Sequence, residues 1–232
     1  MRILTFFVGI VLIPVCYAVS ETAISLVRAI SPDSSMAIPA SGWALLGGFL
    51  FWIFVYFTVP LPIRTYVLAH ELTHAIWGML MGARIFRMQV SRDRGSVTMS
   101  KSNFLITLAP YFFPLYTVIV IVSYYVLSIF YDVSRYHLFW LSLVGFTWGF
   151  HFTFTISTLL QHQSDIKVYG AVFSYSLIYL FNVAGICIWI VIITDVTLTQ
   201  MMDCFWVHMT ETAYVMRDYG IQAVGKIREA MQ

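Results

Sequence analysis

The chain has 232 residues, of which 60% are hydrophobic and only 10% charged, and its mean hydropathy is +0.83. A water-soluble fold cannot bury so large a share of apolar side chains, so the composition excludes a soluble globular protein and indicates an integral membrane protein. The formal net charge is only +2, and basic residues are not interleaved with aromatic ones on a polar face, so nothing indicates nucleic-acid binding. Cys16, Cys187 and Cys204 form no C-x-x-C pair, so neither a disulfide framework nor a cysteine zinc site is predicted.

Six apolar segments predict membrane helices, since a helix needs about 20 apolar residues to cross the hydrocarbon. They cover residues 3–19, 43–63, 66–81, 104–130, 138–160 and 172–193. We therefore predict an all-α polytopic membrane protein with about six transmembrane helices. The first segment also resembles a secretory signal peptide that ends near Ala18, although its length favours a retained helix. The connection over residues 20–42 contains turn-forming residues and is predicted to be largely irregular.

The third segment is short and carries the polar sequence HELTH at its centre. Ionisable side chains are costly in lipid, so this segment predicts a functional face directed into the protein. His70 and His74 are four residues apart, and on a helix both imidazoles project from one face and can bind one metal ion. Glu71 lies about 100° round the helix from His70, which suits a hydrogen bond to a metal-bound water better than a bond to the metal.

This spacing is typical of zinc hydrolases. Zinc lowers the pKa of a bound water to about 7 and polarises the scissile carbonyl, while Glu71 would act as the general base. The alternative is a metal-free polar cluster that holds helices together. A shared cation would satisfy all three side chains at once, and this favours the metal site. We predict one Zn²⁺ per chain, with His70 and His74 as ligands and Glu71 as the catalytic residue.

A catalytic zinc normally has three protein ligands and one open position, so a further donor must come from elsewhere in the chain. Asp165, which follows the fifth apolar segment, is the predicted third ligand. His162 is the nearest alternative, and His151, inside the fifth segment, is the next. Asp165 could instead cap the following helix, and His151 could be a structural interior histidine.

Residues 84–101 differ from their surroundings because apolar residues alternate on both sides of the turn sequence SRDRGS. This pattern predicts a β-hairpin. The hairpin holds five basic residues against Asp93 alone, and such an excess close to membrane spans is retained in the cytoplasm. The metal site would then lie nearer the cytoplasmic face, with His74 roughly 15 Å from Arg84 along the helix. The expected location is the plasma membrane of a prokaryote.

The C-terminal residues 198–232 carry apolar side chains at near-helical spacing among polar ones. They predict an amphipathic helix on the membrane surface or packed on the domain, and the alternative is a partly ordered, solvated tail. The predicted organisation is a transmembrane domain over residues 1–197 that carries the HELTH site, followed by this tail.

The chain resembles the site-2 protease family of intramembrane zinc metalloproteases over about residues 65–182. The resemblance rests on the hairpin and on HELTHAIWGMLMGA, LITLAPYFFPL and QSDIKVYG, at residues 70–83, 105–115 and 163–170. It implies His70, His74 and Asp165 as zinc ligands, Glu71 as the base, and a hairpin that presents the substrate as an added strand. The family's motif ending in Leu-Asp-Gly is absent, and no PDZ or CBS-type domain is recognisable, which indicates a compact, divergent member.

The sequence therefore predicts an intramembrane zinc metalloprotease that acts on a transmembrane protein or peptide within the lipid bilayer. The first alternative is a catalytically silent member that serves as a binding or chaperone module, which would have no use for Glu71. The second is a metal transporter, and the scarcity of ionisable residues in the second, fourth and sixth segments counts against it. No pattern in the sequence indicates a particular substrate or an oligomeric state.

Overall fold

The computed structural model describes residues 2–29, 38–161 and 163–230. Within these ranges the chain forms helices α1 to α9 and strands β1 and β2. In chain order they are α1 (Arg2–Ala29), α2 (Ala40–Thr58), α3 (Ile63–Leu80), β1 (Ile85–Val90), β2 (Gly95–Met99), α4 (Phe104–Leu108), α5 (Leu115–Phe130), α6 (His137–Leu159), α7 (Ser164–Tyr169), α8 (Ala171–Ile193) and α9 (Leu198–Ala230). Short 3-10 turns, Ala109–Tyr111 and Ser134–Tyr136, precede α5 and α6.

The predicted fold class, an all-α membrane protein with one short hairpin, is confirmed. Four helices in the described ranges are long and apolar enough to cross a membrane, namely Arg2–Ala29, Ala40–Thr58, Ser134–Leu159 and Ala171–Ile193. The pair Phe104–Tyr111 and Leu115–Phe130, bent by 83°, gives a fifth if it counts as one span. All six apolar segments contain a helix, but α3 does not qualify as a span because its polar centre lowers its hydropathy.

The helices group into two compact units, Met1–Ala37 with Gly170–Gln232, and Ile38–Tyr169. In the first unit, the buried side chains of Val19, Leu26, Cys187 and Ile190 form a core in which α1 packs against α8. Helix α1 continues to Ala29, so the prediction that residues 20–42 are largely irregular is wrong for residues 20–29 and 40–42, while residues 30–37 lie outside the described ranges. The cause is tertiary packing, since Leu26 is buried in this core and favours continued helix.

The predicted C-terminal tail forms α9. Within the first unit, its first half packs against the α1–α8 core through Met201 and Phe205, and its second half leaves most of its side chains exposed. The predicted boundary after residue 197, between a transmembrane domain and a tail, stays a prediction.

In the second unit, α2 and α6 approach each other closely at glycine positions. A Cβ atom at Gly48 would lie only 2.7 Å from the carbonyl carbon of Ser142, and one at Gly145 only 2.9 Å from that of Leu45. Membrane helices pack through small residues because lipid tails compete with apolar side chains for the same surfaces. The two glycines therefore allow the backbones to touch where a larger residue would separate the helices.

Aromatic packing extends this pair towards α3. The Trp52 side chain of α2 is only 3% exposed, and its indole N–H donates to Thr153 Oγ1 at 2.9 Å. The Trp52 ring also contacts the rings of Phe146, Phe150 and Phe154 on α6. Tyr66 of α3 stacks on Phe154 with ring centroids 4.8 Å apart, so the α2–α6 pair holds the start of α3 in place.

Strands β1 and β2 form the predicted antiparallel hairpin, with Met88 opposite Val97 and Val90 opposite Gly95. A hydrogen bond from the Ser91 N–H to the Arg94 carbonyl, 2.8 Å long, closes the turn between them. The hairpin packs against the C-terminal half of α3, where a Cβ atom at Gly78 would lie 3.3 Å from side-chain atoms of both Ile85 and Met99. Within the described residues β2 pairs with β1 alone, so its other edge is open.

Candidate metal centre

The two histidines of HELTH lie on one face of α3, as their spacing predicts. Their Nε2 atoms are 3.2 Å apart. The Nδ1 atom of His74 is 2.8 Å from the carbonyl oxygen of Ile106, and Nδ1 of His70 is 3.3 Å from the Tyr66 hydroxyl. A carbonyl oxygen can only accept, so His74 carries a proton on Nδ1 and leaves the lone pair of Nε2 available for a metal.

Asp165 of α7 completes the group. Its Oδ2 atom lies 3.5 Å from Nε2 of His70 and 3.5 Å from Nε2 of His74. Ligand atoms held tetrahedrally at about 2.0–2.1 Å from zinc are about 3.3 Å apart, which is close to all three separations. His70, His74 and Asp165 can therefore hold one metal ion, and the nature of their atoms, two imidazole nitrogens and one carboxylate oxygen, suits zinc.

Tyr111 contacts the same oxygen of the Asp165 carboxylate as the two histidines do. The tyrosine side chain is fully buried, and its hydroxyl donates to Oδ2 of Asp165 at 3.1 Å. Burial acts to raise the pKa of Asp165, but the two neighbouring imidazoles outweigh it and hold that pKa well below its ordinary value. The carboxylate is therefore ionised at neutral pH, so it would offset part of the charge of a bound dication.

A cavity of about 840 Å³ opens onto this group. Its lining includes His70, Glu71 and His74 of α3, together with the hairpin turn and residues of β2, including Gly95. The lining also contains polar residues from the C-terminal end of α6 and from the segment that leads into α7: Ser157, Thr158, Gln161, Gln163 and Ser164. The cavity is thus large enough for a short stretch of extended peptide and polar enough to hold water beside the group.

Glu71 lies in this cavity but is not part of the group of potential ligands. Glu71 is only 7% exposed. Its predicted position beside the metal and not on it stays a prediction.

Of the two alternative third ligands, the structure describes His151 and not His162. His151 is buried on α6 and lies outside the group, and its Nε2 atom has no hydrogen-bond partner in the described part of the chain. His162 lies outside the described residues. Of the three candidates for the third ligand, the structure brings Asp165 to the two histidines.

Sequence reasoning missed the residues that hold these side chains in position: Tyr66, Ile106 and Tyr111. The contact from Ile106 is made by a backbone carbonyl, which no side-chain pattern reveals. Tyr111 belongs to the segment LITLAPYFFPL, which the resemblance includes, but no spacing rule links this residue to Asp165. A tyrosine beside prolines in an apolar segment was the available signal, and it does not specify a partner.

The fold and the site together define an integral membrane protein with a potential metal centre inside its helical domain. The Peptidase M50B-like family matches residues 43–160, about half of the 232-residue chain. The chain belongs to this family, in agreement with its resemblance to the site-2 proteases. The matched region contains both histidines and Glu71 and ends before Asp165. Neither curated proteins nor solved structures give a match.

Proposed function

We propose that this protein is an intramembrane zinc metalloprotease that hydrolyses peptide bonds of a membrane-embedded protein or peptide. One observation carries the proposal: the atoms of His70, His74 and Asp165 are separated by distances that suit a zinc ion, in a cavity that also contains Glu71. Membership of a peptidase family supports the same chemistry.

His70, His74 and Asp165 would hold the zinc. When bound there, zinc would supply a Lewis acid that polarises a carbonyl and lowers the pKa of water to about 7. The carboxylate of Glu71 would accept the proton of the attacking water and pass it to the leaving amine, as a general base and then a general acid. The hydrogen bonds from His74 to Ile106 and from Tyr111 to Asp165 orient the ligands before the ion arrives.

The substrate would bind in extended form along β2. This strand is paired with β1 on one side within the described residues, and Gly95, Ser96, Val97 and Met99 line the cavity. An added strand would satisfy the open backbone groups of β2 and would hold its own peptide bonds away from helical hydrogen bonding. A transmembrane helix must be unwound before its peptide bonds can be hydrolysed. An edge that binds an extended segment would hold the substrate in this unwound form, which supports a membrane-embedded substrate.

Metal analysis of the detergent-purified protein, combined with a peptidase assay, tests the proposal. The wild-type protein should contain about one zinc per chain and cleave a transmembrane peptide in lipid vesicles. His70→Ala should lose the zinc and the activity together. His151→Ala is the matched control because it removes a buried histidine of a neighbouring helix that lies outside the group.

The outcomes of this assay also separate the alternatives. Zinc bound without hydrolysis of any membrane peptide would favour a silent binding or chaperone module. Full zinc content in His70→Ala would show that the ion binds elsewhere, and this would overturn the proposal.

We propose further that the metal centre lies nearer the cytoplasmic face of a prokaryotic plasma membrane. The support is the basic excess of the hairpin segment. In a variant whose three native cysteines are replaced by alanine, a cysteine introduced at Ser91 should resist an impermeant thiol reagent in intact cells and react after permeabilisation. Ready labelling in intact cells would reverse the orientation.

A further inference from the structure

Gly95, the first residue of β2, lies directly against the side chain of Glu71. A Cβ atom built on Gly95 would lie 2.6 Å from Oε1 and 2.7 Å from Cδ of Glu71, and nearer still to its Cγ. No side chain fits between the hairpin and the glutamate at these distances. The hairpin backbone therefore covers Glu71, which accounts for the small exposed fraction of this residue.

Glycine is required here for space and not for backbone conformation. Among the described residues only Gly82 and Gly170 have a positive φ, so the backbone at Gly95 is one that alanine can also adopt. The three atoms that a methyl group would meet first, Cγ, Cδ and Oε1, belong to the glutamate side chain and not to the backbone. A substitution should therefore move the carboxylate and leave the helix in place.

We propose that Gly95 is a positioning residue that allows the hairpin to seat against Glu71 and so holds the glutamate carboxylate at its place beside His70, His74 and Asp165. The proposal rests on the proposed function, in which Glu71 is the general base. Strand β2 would then have two roles, because the strand that would bind the substrate also sets the position of the base.

The loss of rate expected for a substitution at Gly95 follows from the geometry of proton transfer. A general base must lie within about 2.6–3.2 Å of the atom that gives up the proton. A displacement of about 1 Å can reduce the rate about a hundredfold. The three atoms nearest to a Cβ atom on Gly95 all belong to Glu71, so the zinc ligands should keep their positions.

The first test is the Gly95→Ala variant. Its kcat should fall about 10- to 100-fold, while KM and zinc content stay near those of the wild type. Gly47→Ala is the matched control because a Cβ atom at Gly47 meets no atom within 4 Å, so its activity should be unchanged. Wild-type kcat in Gly95→Ala would overturn the proposal.

The second test does not depend on activity. Trypsin cleaves after Arg92 and Arg94 in the hairpin turn, and the cleavage rate reports how firmly the hairpin is seated. Gly95→Ala should accelerate cleavage when Glu71 is present and should have a smaller effect in a Glu71→Ala background, where the methyl group has room. Equal acceleration in both backgrounds would show that the contact with Glu71 is not the cause, and this too would overturn the proposal.

The two tests distinguish a failure of this inference from a failure of the proposed function. If the wild-type protein hydrolyses no peptide, the proposed function fails, and the trypsin experiment still decides whether Gly95 positions the Glu71 side chain. If the wild-type protein is active and Glu71→Gln is inactive, but Gly95→Ala behaves as the wild type, the inference alone fails.

Discussion

The α2–α6 pair and the α3 site lie in the same unit and are built in different ways. The pair consists of apolar helices in contact along their lengths, through close backbone approach at Gly48 and Gly145 and through aromatic rings. The site consists of single-atom contacts: α3 receives them from α4 and from α7, and α7 receives one from the turn before α5. We infer that the pair determines stability and that the site determines chemistry, and that substitutions can separate the two.

The largest effect is expected for Glu71→Gln. This change keeps the size of the side chain but removes its ability to accept a proton, so peptide hydrolysis should fall at least about a hundredfold. Zinc content and thermal stability should be preserved because Glu71 is outside the group of potential ligands. A peptidase assay beside metal analysis measures both. Near-normal turnover by the variant would contradict the protease function.

The second-largest effect is expected for Asp165→Asn. It removes the charge that would offset a buried dication, so zinc affinity should fall about 10- to 100-fold in competition with a chelator. His151→Ala serves as the control and should retain its zinc. If Asp165→Asn resists the chelator as the wild type does while His162→Ala loses the ion, the third ligand is the histidine and Asp165 only caps α7.

The parts of this site that could be predicted from the sequence are those that depend on local spacing. The i to i+4 relation of His70 and His74 follows from helix geometry, and the alternation around SRDRGS follows from strand geometry. Both elements are present in the structure. The membrane class follows from composition alone.

The remaining contacts depend on tertiary structure, which local patterns do not encode. Ile106 meets His74 across 32 residues of sequence, and Tyr111 meets Asp165 across 54. The prediction of Asp165 as a ligand rests on its place in the chain and on family resemblance, and neither of these specifies a distance to the histidines. The extension of α1 to Ala29 was missed because polar residues after the apolar segment concealed a helix that packing stabilises.

A substitution in the α2–α6 pair should lower the stability of the protein and leave zinc binding unchanged, which is the reverse of what we expect for a substitution in the site. Gly48→Val places a side chain against the backbone of Ser142 and should lower the stability of the folded protein by about 1–3 kcal/mol. The measurement is the thermal denaturation midpoint in detergent. Gly47→Val is the control, since it makes the same change on the same helix where no atom lies within 4 Å.

If the two regions are separable, the Gly48→Val protein that remains folded should still bind one zinc per chain with unchanged affinity. A parallel loss of zinc affinity would show that the packing of α2 on α6 also shapes the metal centre. Stability and metal binding would then not be separable between the two regions.

The smallest effect is expected for Tyr111→Phe, which removes one hydroxyl from the support of the site. The phenyl ring keeps the edge contact with His70, whose ring centroid is 5.2 Å away, while Oδ2 of Asp165 loses its donor at 3.1 Å. Zinc affinity should fall about tenfold, the lower end of the range for such support. Tyr116→Phe is the matched control because that hydroxyl donates to the Thr65 carbonyl, 2.8 Å away, and not to a ligand. Zinc-saturated Tyr111→Phe should hydrolyse peptide at nearly the wild-type rate, since the hydroxyl orients a ligand and does not line the cavity. Equal zinc affinities for Tyr111→Phe and the wild type would mean that packing alone holds Asp165 in place.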